Sequence, residues 1–211
     1  MQPVIILFAK APIPGRVKTR LQPPLSPAEA AGLHEAFVWD MIHRLQSFTR
    51  ASLELHTDIP TDAWVATGVA QRLQSEGGLQ LKMLHALDQA LRRGHARAII
   101  VGTDAPTLPL AHLEQLLASD ADVSLGPTDD GGYYAIACRT THPAMFDGVT
   151  WSGPLTLEHT LRAIERAGLS VELGSRWFDV DEPADLERLA ASPDLPARTA
   201  RWFRERKIKQ Q

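Results

Sequence analysis

Val4-Ile5-Ile6-Leu7-Phe8-Ala9-Lys10-Ala11-Pro12-Ile13-Pro14-Gly15-Arg16-Val17-Lys18-Thr19-Arg20-Leu21 changes character part-way along its length. Val4 to Ala9 is a short apolar, partly β-branched run, the pattern of a strand buried on both faces. From Lys10 to Leu21 the chain carries four cations, two prolines and a glycine in twelve residues. Pro12 and Pro14 fix their own φ and bias the residues before them toward extended geometry, while Gly15 admits a backbone conformation that a Cβ resists. The expectation is a stiff cationic loop leaving the carboxyl end of a strand, where open α/β sheets bind their ligands. Such a loop suits a phosphate or pyrophosphate group. Taken alone, the loop leaves a solvated basic turn open as the alternative.

Working outward, Ser26-Pro27-Ala28-Glu29 is a helix start in which Ser26 caps, Pro27 takes the first helical position and Glu29 closes a capping box. Leu33, Phe37, Met41 and Leu45 then recur every fourth residue and predict an amphipathic helix to about Phe48. Further strands are expected at Ser52–Thr57, Arg97–Gly102, Val123–Gly126, Tyr133–Cys138 and Leu169–Leu173. Helices are expected at Asp62–Ser75, Lys82–Arg93, Pro109–Ala118, Pro154–Ala167 and Pro183–Ala191. A basic tail from Pro196 to Lys209 reads as a solvated helix packed down by Trp202 and Phe203, with Arg198, Arg201, Arg204, Arg206, Lys207 and Lys209 on it. Strands alternating with helices predict one domain over residues 1–211, a three-layer α/β/α sandwich with a mostly parallel central sheet.

Bulk properties remove several classes of function. A net charge of −3 argues against a general nucleic-acid binder. The one cysteine, Cys138, excludes an intrachain disulfide and a cysteine-rich zinc site, and its apolar setting reads as an inert buried thiol. No apolar stretch approaches the ~20 residues that span a bilayer, and Val4–Ala9 is too short for a signal peptide, so a cytoplasmic protein is expected. The dinucleotide glycine fingerprint, the P-loop, the nucleophile elbow and zinc-spaced histidine pairs are absent from the sequence.

The acidic residues fall in a pattern. Asp104 follows a strand directly, Asp129 and Asp130 precede Gly131-Gly132 between two strands, and Asp179 and Asp181 lie between the last strand and a helix. Strand carboxyl ends share one edge of a parallel sheet, so these carboxylates converge there with the cationic loop. Carboxylates beside Arg and Lys on one rim suit Mg²⁺ or Mn²⁺ together with a polyphosphate. Each piece also has a structural reading: Asp104 as a turn residue, Asp129-Asp130 as a hairpin turn, and Asp181-Glu182-Pro183 as a helix start.

Five segments together resemble one family. Phe8 to Leu21, Gly102-Thr103-Asp104-Ala105-Pro106-Thr107-Leu108, Gly126-Pro127-Thr128-Asp129-Asp130-Gly131-Gly132-Tyr133-Tyr134, Trp151-Ser152-Gly153-Pro154 and Asp179 to Asp185 stand in the order of that family's motifs. The family comprises small, uncharacterised bacterial glycosyltransferase-like proteins, described as transferases associated with radical-SAM and selenium-related genes. It is distantly similar to phospholactate and molybdenum-cofactor guanylyltransferases. The resemblance implies a nucleotide-diphospho-sugar transferase fold of the glycosyltransferase-A type. It implies metal ligation by Asp104 and Asp181, with Asp179 beside them. Donor phosphates would be held by Lys10, Gly15, Arg16, Lys18 and Arg20. An acceptor side would be shaped by Asp129, Asp130, Gly131, Gly132, Tyr133, Trp151 and Ser152. Asp104, Lys18 and Asp130 are then the candidate catalytic residues.

One segment departs from the family. Gly78-Leu79-Gln80-Leu81-Lys82-Met83 stands where the family carries D-L-G-x-R-M, and the acidic residue, glycine and arginine are not recovered, though Met83 is. Two readings follow. The first is a metal-dependent transferase with a nucleotide or nucleotide-sugar donor and a small-molecule acceptor, acting by glycosyl or nucleotidyl transfer. The second is a catalytically inactive nucleotide-binding or regulatory relative.

Overall fold

The opening apolar run is β1 (Val4–Ala9), near the middle of a seven-stranded sheet. The structure is a computed structural model that describes residues 2–209, apart from the side chains of 207–209, which include Lys207 and Lys209 of the basic tail. β1 pairs in parallel with β2 (Ser52–Thr57) on one side and β4 (Ala98–Gly102) on the other, and β3 (Ala70–Leu73) adds in parallel to β2. β5 (Val123–Pro127) turns back into β6 (Tyr133–Cys138), which inserts antiparallel between β4 and β5, and β7 (Val171–Leu173) pairs in parallel with β5. The order is β3-β2-β1-β4-β6-β5-β7. Only β6 runs against the rest, so six strand carboxyl ends and the amino end of β6 share one edge.

Helices cover both faces. Val38, Met41, Ile42 and Leu45 of α1 (Pro27–Gln46), with Leu113 and Leu116 of α3 (Leu110–Ala118), pack on Ile5, Leu7, Leu55, Ile99 and Val101. Met83, Ala86 and Leu87 of α2 (Leu79–Arg92) and Ile164 of α4 (Thr156–Arg166) pack on Val4, Ile6, Ile100, Leu125 and Ile136 of the opposite face. β1, β4, β5 and β6 are buried on both sides, which is why they read as largely apolar runs. Each fully buried Leu, Ile or Val adds roughly 1.5–3 kcal/mol relative to exposure. The result is the three-layer sandwich with a mostly parallel sheet that the alternating elements predict.

The capping box at Ser26 and Glu29 is formed, with both reciprocal bonds present. α5 (Pro183–Ala190) and α6 (Ala197–Lys209) close the α1 side. Asp40, buried on α1, accepts from the Arg198 and Thr199 N–H groups and the Thr199 hydroxyl, so α1 supplies the amino-terminal cap of the basic tail. Trp202 and Phe203 pack against the neighbouring apolar cluster, as expected. No helix among the described residues is long and apolar enough to cross a membrane.

The helix expected at Asp62–Ser75 does not form. That segment holds a 3-10 turn, Val65–Thr67, and then β3. Gly68 takes a left-handed φ of 70° and ends the turn, and Trp64 is fully buried with its indole N–H directed at the Glu35 carbonyl. With Trp64 anchored under α1, Ala70–Leu73 is delivered to the open edge of β2, and sheet pairing outweighs its helical propensity.

Candidate active site

Lys18 stands at the centre of the shared edge. Its backbone is left-handed (φ 48°), and its side chain is only 4% exposed. The ammonium bridges Asp104 and Asp181, the latter at 3.1 Å, and donates to the Val180 carbonyl at 2.6 Å. The ring of Phe37 lies 5.4 Å away. Burial alone would lower the pKa of Lys18, but the carboxylates of Asp104 and Asp181 outweigh it and hold the pKa above its ordinary value. The same ammonium outweighs the effect of burial on Asp104 and keeps that carboxyl below its ordinary range. Asp181 moves upward, because burial and the nearby Asp104 charge prevail over Lys18.

Main-chain contacts explain the convergence. The Trp177 N–H donates to the Pro127 carbonyl at 3.0 Å and the Val180 N–H to the Asp104 carbonyl at 2.8 Å. The segment after β7 is thereby laid across the ends of β5 and β4, with Asp179 and Asp181 facing the rim. Asp130 reaches the same place from the β5–β6 turn. One of its oxygens accepts from the Thr128 hydroxyl at 2.5 Å and from the Gly132 N–H at 2.9 Å, which fixes the turn. One oxygen each of Asp130, Asp179 and Asp181 lies within 4.8 Å of the others. Burial, followed by the charges of Asp130 and Asp181, pushes Asp179 up to about 7. Crowded, hard oxygen donors of this kind fit Mg²⁺ or Mn²⁺, which complete their shells with water and phosphate. Asp104 is not one of this trio; it is engaged by Lys18, and its charge reaches Asp179 and Asp181.

A cleft of about 570 Å³ opens over these groups. Lys10, Lys18 and Arg20 line it from the first loop, and Arg20 stands 3.9 Å from Asp181. Gly132, Tyr133, Trp151 and Ser152 line it from the opposite side. Gly15 and Arg16 sit at the exposed tip of the loop, outside the lining. Asp129 turns away and pairs with Arg188 of α5 at 2.9 Å. Gly131 lies behind the wall. Its φ is 88°, and a Cβ there would come within 2.0 Å of the Pro154 carbonyl oxygen. The Leu157 N–H also donates to the Gly131 carbonyl at 2.9 Å, so the two motifs of this side are locked together.

Sequence reasoning passed over several lining residues. His34 is buried on α1 with Nε2 2.9 Å from the Lys10 carbonyl, and burial pushes its pKa down. The Gln74 side-chain amide donates to the carbonyls of Ala9 and His56 across the ends of β1 and β2. Leu79 and Met83, from the departing segment, line the cleft from α2. His34 was legible as a polar residue on the inward stripe between Leu33 and Phe37; Gln74 carried no local signal. Lys18 and Ser152 (φ 60°) are the non-glycine residues with left-handed φ among those described. Both line the cleft, where backbone strain of ~1–3 kcal/mol marks functional sites.

Comparison with known proteins identifies the family and the fold. Residues 41–153 match the family described as an uncharacterized protein conserved in bacteria (DUF2064). A 2-phospho-L-lactate guanylyltransferase of Haloarcula marismortui is 30% identical over 190 residues, 89% of this chain and 86% of its own. The enzyme of the same name from Methanothermobacter thermautotrophicus is 31% identical over 80% of this chain and 76% of its own. A protein provisionally described as a nucleotide-diphospho-sugar transferase, from Desulfovibrio desulfuricans G20, superposes with a TM-score of 0.87 at 31% identity, covering 100% of this chain and 98% of that one. On these matches the chain belongs to the DUF2064 family and is a transferase with the nucleotide-diphospho-sugar transferase fold.

Proposed function

We propose that this transferase is a metal-dependent nucleotidyltransferase that joins a nucleoside monophosphate unit to a small phosphorylated acceptor. The observation that carries the reading is the junction at Lys18, where the cationic loop and the acidic edge meet at one buried ammonium. Lys10, Lys18 and Arg20 hold the donor's phosphates, with Gly15 and Arg16 shaping the loop from its exposed tip. Asp179 and Asp181, joined by Asp130, are the residues that would hold Mg²⁺ or Mn²⁺, and Asp104 positions Lys18. A bound ion supplies neutralisation of charge on the donor phosphates. The acceptor enters along Gly132, Tyr133, Trp151 and Ser152, and its phosphate oxygen attacks the α-phosphorus. The bond from the α-phosphorus to the bridging oxygen breaks, and pyrophosphate leaves beside Lys18 and Arg20. Little covalent chemistry falls to the protein, so alignment and charge carry the rate. The guanylyltransferase relatives make GTP the first donor to try.

A second reading, glycosyl transfer from a nucleotide sugar, is favoured by the likeness to the Desulfovibrio protein. The products separate the two. Incubation with GTP or another nucleoside triphosphate, in Mg²⁺ and a panel of phosphate monoesters, is expected to release pyrophosphate. Release of nucleoside diphosphate from a nucleotide sugar supports glycosyl transfer instead. Nucleotide binding with neither product, from folded protein, supports the inactive relative that the Gly78–Met83 departure suggests.

A further inference from the structure

Resting on the nucleotidyltransferase reading, we propose that the acceptor is a single phosphate monoester carried on an aromatic or other planar apolar body. It does not carry a second anion beside the phosphate, as 2-phospho-L-lactate does. The cleft divides by charge. Its lysines and arginines, among the described residues, all come from the first loop. The other wall offers only carboxylates at its rim and uncharged groups beyond them. Arg188 is paired with Asp129 and stacked on Phe178, and Arg176, bonded to the Thr128 carbonyl, is not among the lining residues. A second anion seated along Tyr133 and Trp151, beyond the ion that the rim carboxylates would hold, would meet no cationic side chain of the lining, an expensive placement.

The neutral wall is built rather than incidental. The ring of Trp151 lies 5.8 Å from that of the buried Phe146 and 6.5 Å, at 68°, from that of Tyr133. The buried Thr156 hydroxyl staples the loop behind Trp151, accepting from the Gly153 N–H and lying within hydrogen-bond distance of the Thr150 and Gly153 carbonyls. The floor is apolar as well. Phe8 and Gly102 are partners across β1 and β4, Ile100 and Ile136 across β4 and β6, and Met83 closes the side. Gly102 leaves the floor open next to Phe8, and a Cβ there would meet only the Tyr134 carbonyl at 3.6 Å. A flat apolar body has walls and a floor here, with its phosphate directed at the rim.

Calorimetric titration of the full chain in Mg²⁺ tests this with phenyl phosphate, 2-phospho-L-lactate, inorganic phosphate and guanosine as probes. Phenyl phosphate is expected to bind about tenfold tighter than 2-phospho-L-lactate or inorganic phosphate, the scale of one aromatic contact. Trp151→Ala, and independently Gly102→Val, should reduce phenyl phosphate to the level of inorganic phosphate and leave inorganic phosphate unchanged. Equal or tighter binding of 2-phospho-L-lactate overturns the proposal, as does absence of phenyl phosphate binding. Guanosine competing with phenyl phosphate, and losing affinity with Trp151→Ala, makes the wall the donor's base site and overturns it too. Turnover is not the readout, so failure to release pyrophosphate would count against the nucleotidyltransferase reading while leaving this preference standing or falling by itself.

Discussion

The two walls of the cleft are made by different means. The first-loop wall is charge on a strained backbone: Lys18 is left-handed, buried and held by two carboxylates and a carbonyl. The opposite wall is packing: Gly131 fits under Pro154, Trp151 leans on Phe146, and one threonine hydroxyl pins the loop. A wall made of charge fails when a single group is removed, since the partners it leaves behind are of like sign. A wall made of packing fails by degrees, in proportion to the volume and hydrogen bonds lost.

The largest effect is therefore expected on the charged side. Lys18→Met removes the ammonium from between Asp104 and Asp181, and kcat for pyrophosphate release should fall on the order of 10²–10³-fold, as for loss of one preorganised electrostatic group. Circular dichroism should still report a folded protein. A kcat within a few-fold of wild type would remove Lys18 from the chemistry. Next comes Gly131→Ala, which forces a Cβ to within 2.0 Å of the Pro154 carbonyl at a φ of 88°. A stability loss of about 2–3 kcal/mol is expected, seen as a melting temperature lower by roughly 4–12 °C. An unchanged melt would show that the two motifs are not locked together.

The same contrast governs how much was legible beforehand. The cationic side was written as one contiguous run, Lys10 to Leu21, and Lys10, Lys18 and Arg20 of that run line the cleft. The acidic residues were legible as strand-end residues, because the alternation of elements fixes which edge they share. Which of two neighbours faces inward was not legible. Asp130 lines the cleft and Asp129 pairs with Arg188, a difference set by the Asp130 turn bonds to Thr128 and Gly132. The expected grouping of Asp104 with Asp179 and Asp181 did not include the Lys18 ammonium that bridges Asp104 and Asp181, nor Asp130, which joins Asp179 and Asp181 in one cluster. The false helix at Asp62–Ser75 has the same origin. Ala70–Leu73 is a strand only because β2 offers an open edge, and that information lies elsewhere in the chain.

A smaller effect is expected behind the charged wall. Glu54 on β2 accepts from His56, Arg93 and Arg72, and His56 stacks on Phe8 of the cleft floor. Burial alone would raise the pKa of Glu54, but the His56 hydrogen bond and the two arginines bring it down to about 2. A carboxyl depressed in the fold stabilises it fully above the unfolded value near 4.5, and that contribution is lost as pH falls toward 2. Glu54→Gln should thus cost about 1–2 kcal/mol at pH 7, discounted for the half-exposed Arg72, with the gap from wild type closing below pH 4.5. Denaturant unfolding at pH 7 and pH 3 measures it, and a gap that widens in acid would refute the assignment.

The smallest predicted change is the sharpest test of the packed wall. Thr156→Val keeps the shape of a buried side chain and deletes only the hydroxyl that joins Gly153 to Thr150. A net hydrogen bond is worth about 1 kcal/mol, so the global melt should move by only a few degrees. The loop that carries Trp151 would lose its staple while the first loop, across the cleft, keeps every contact. The expected signature is a rise of several-fold in KM for the acceptor with KM for the donor nucleotide unchanged, the scale of that same ~1 kcal/mol. A rise in both constants together would mean that the two walls share one rigid body, and the division of labour between charge and packing would have to be abandoned.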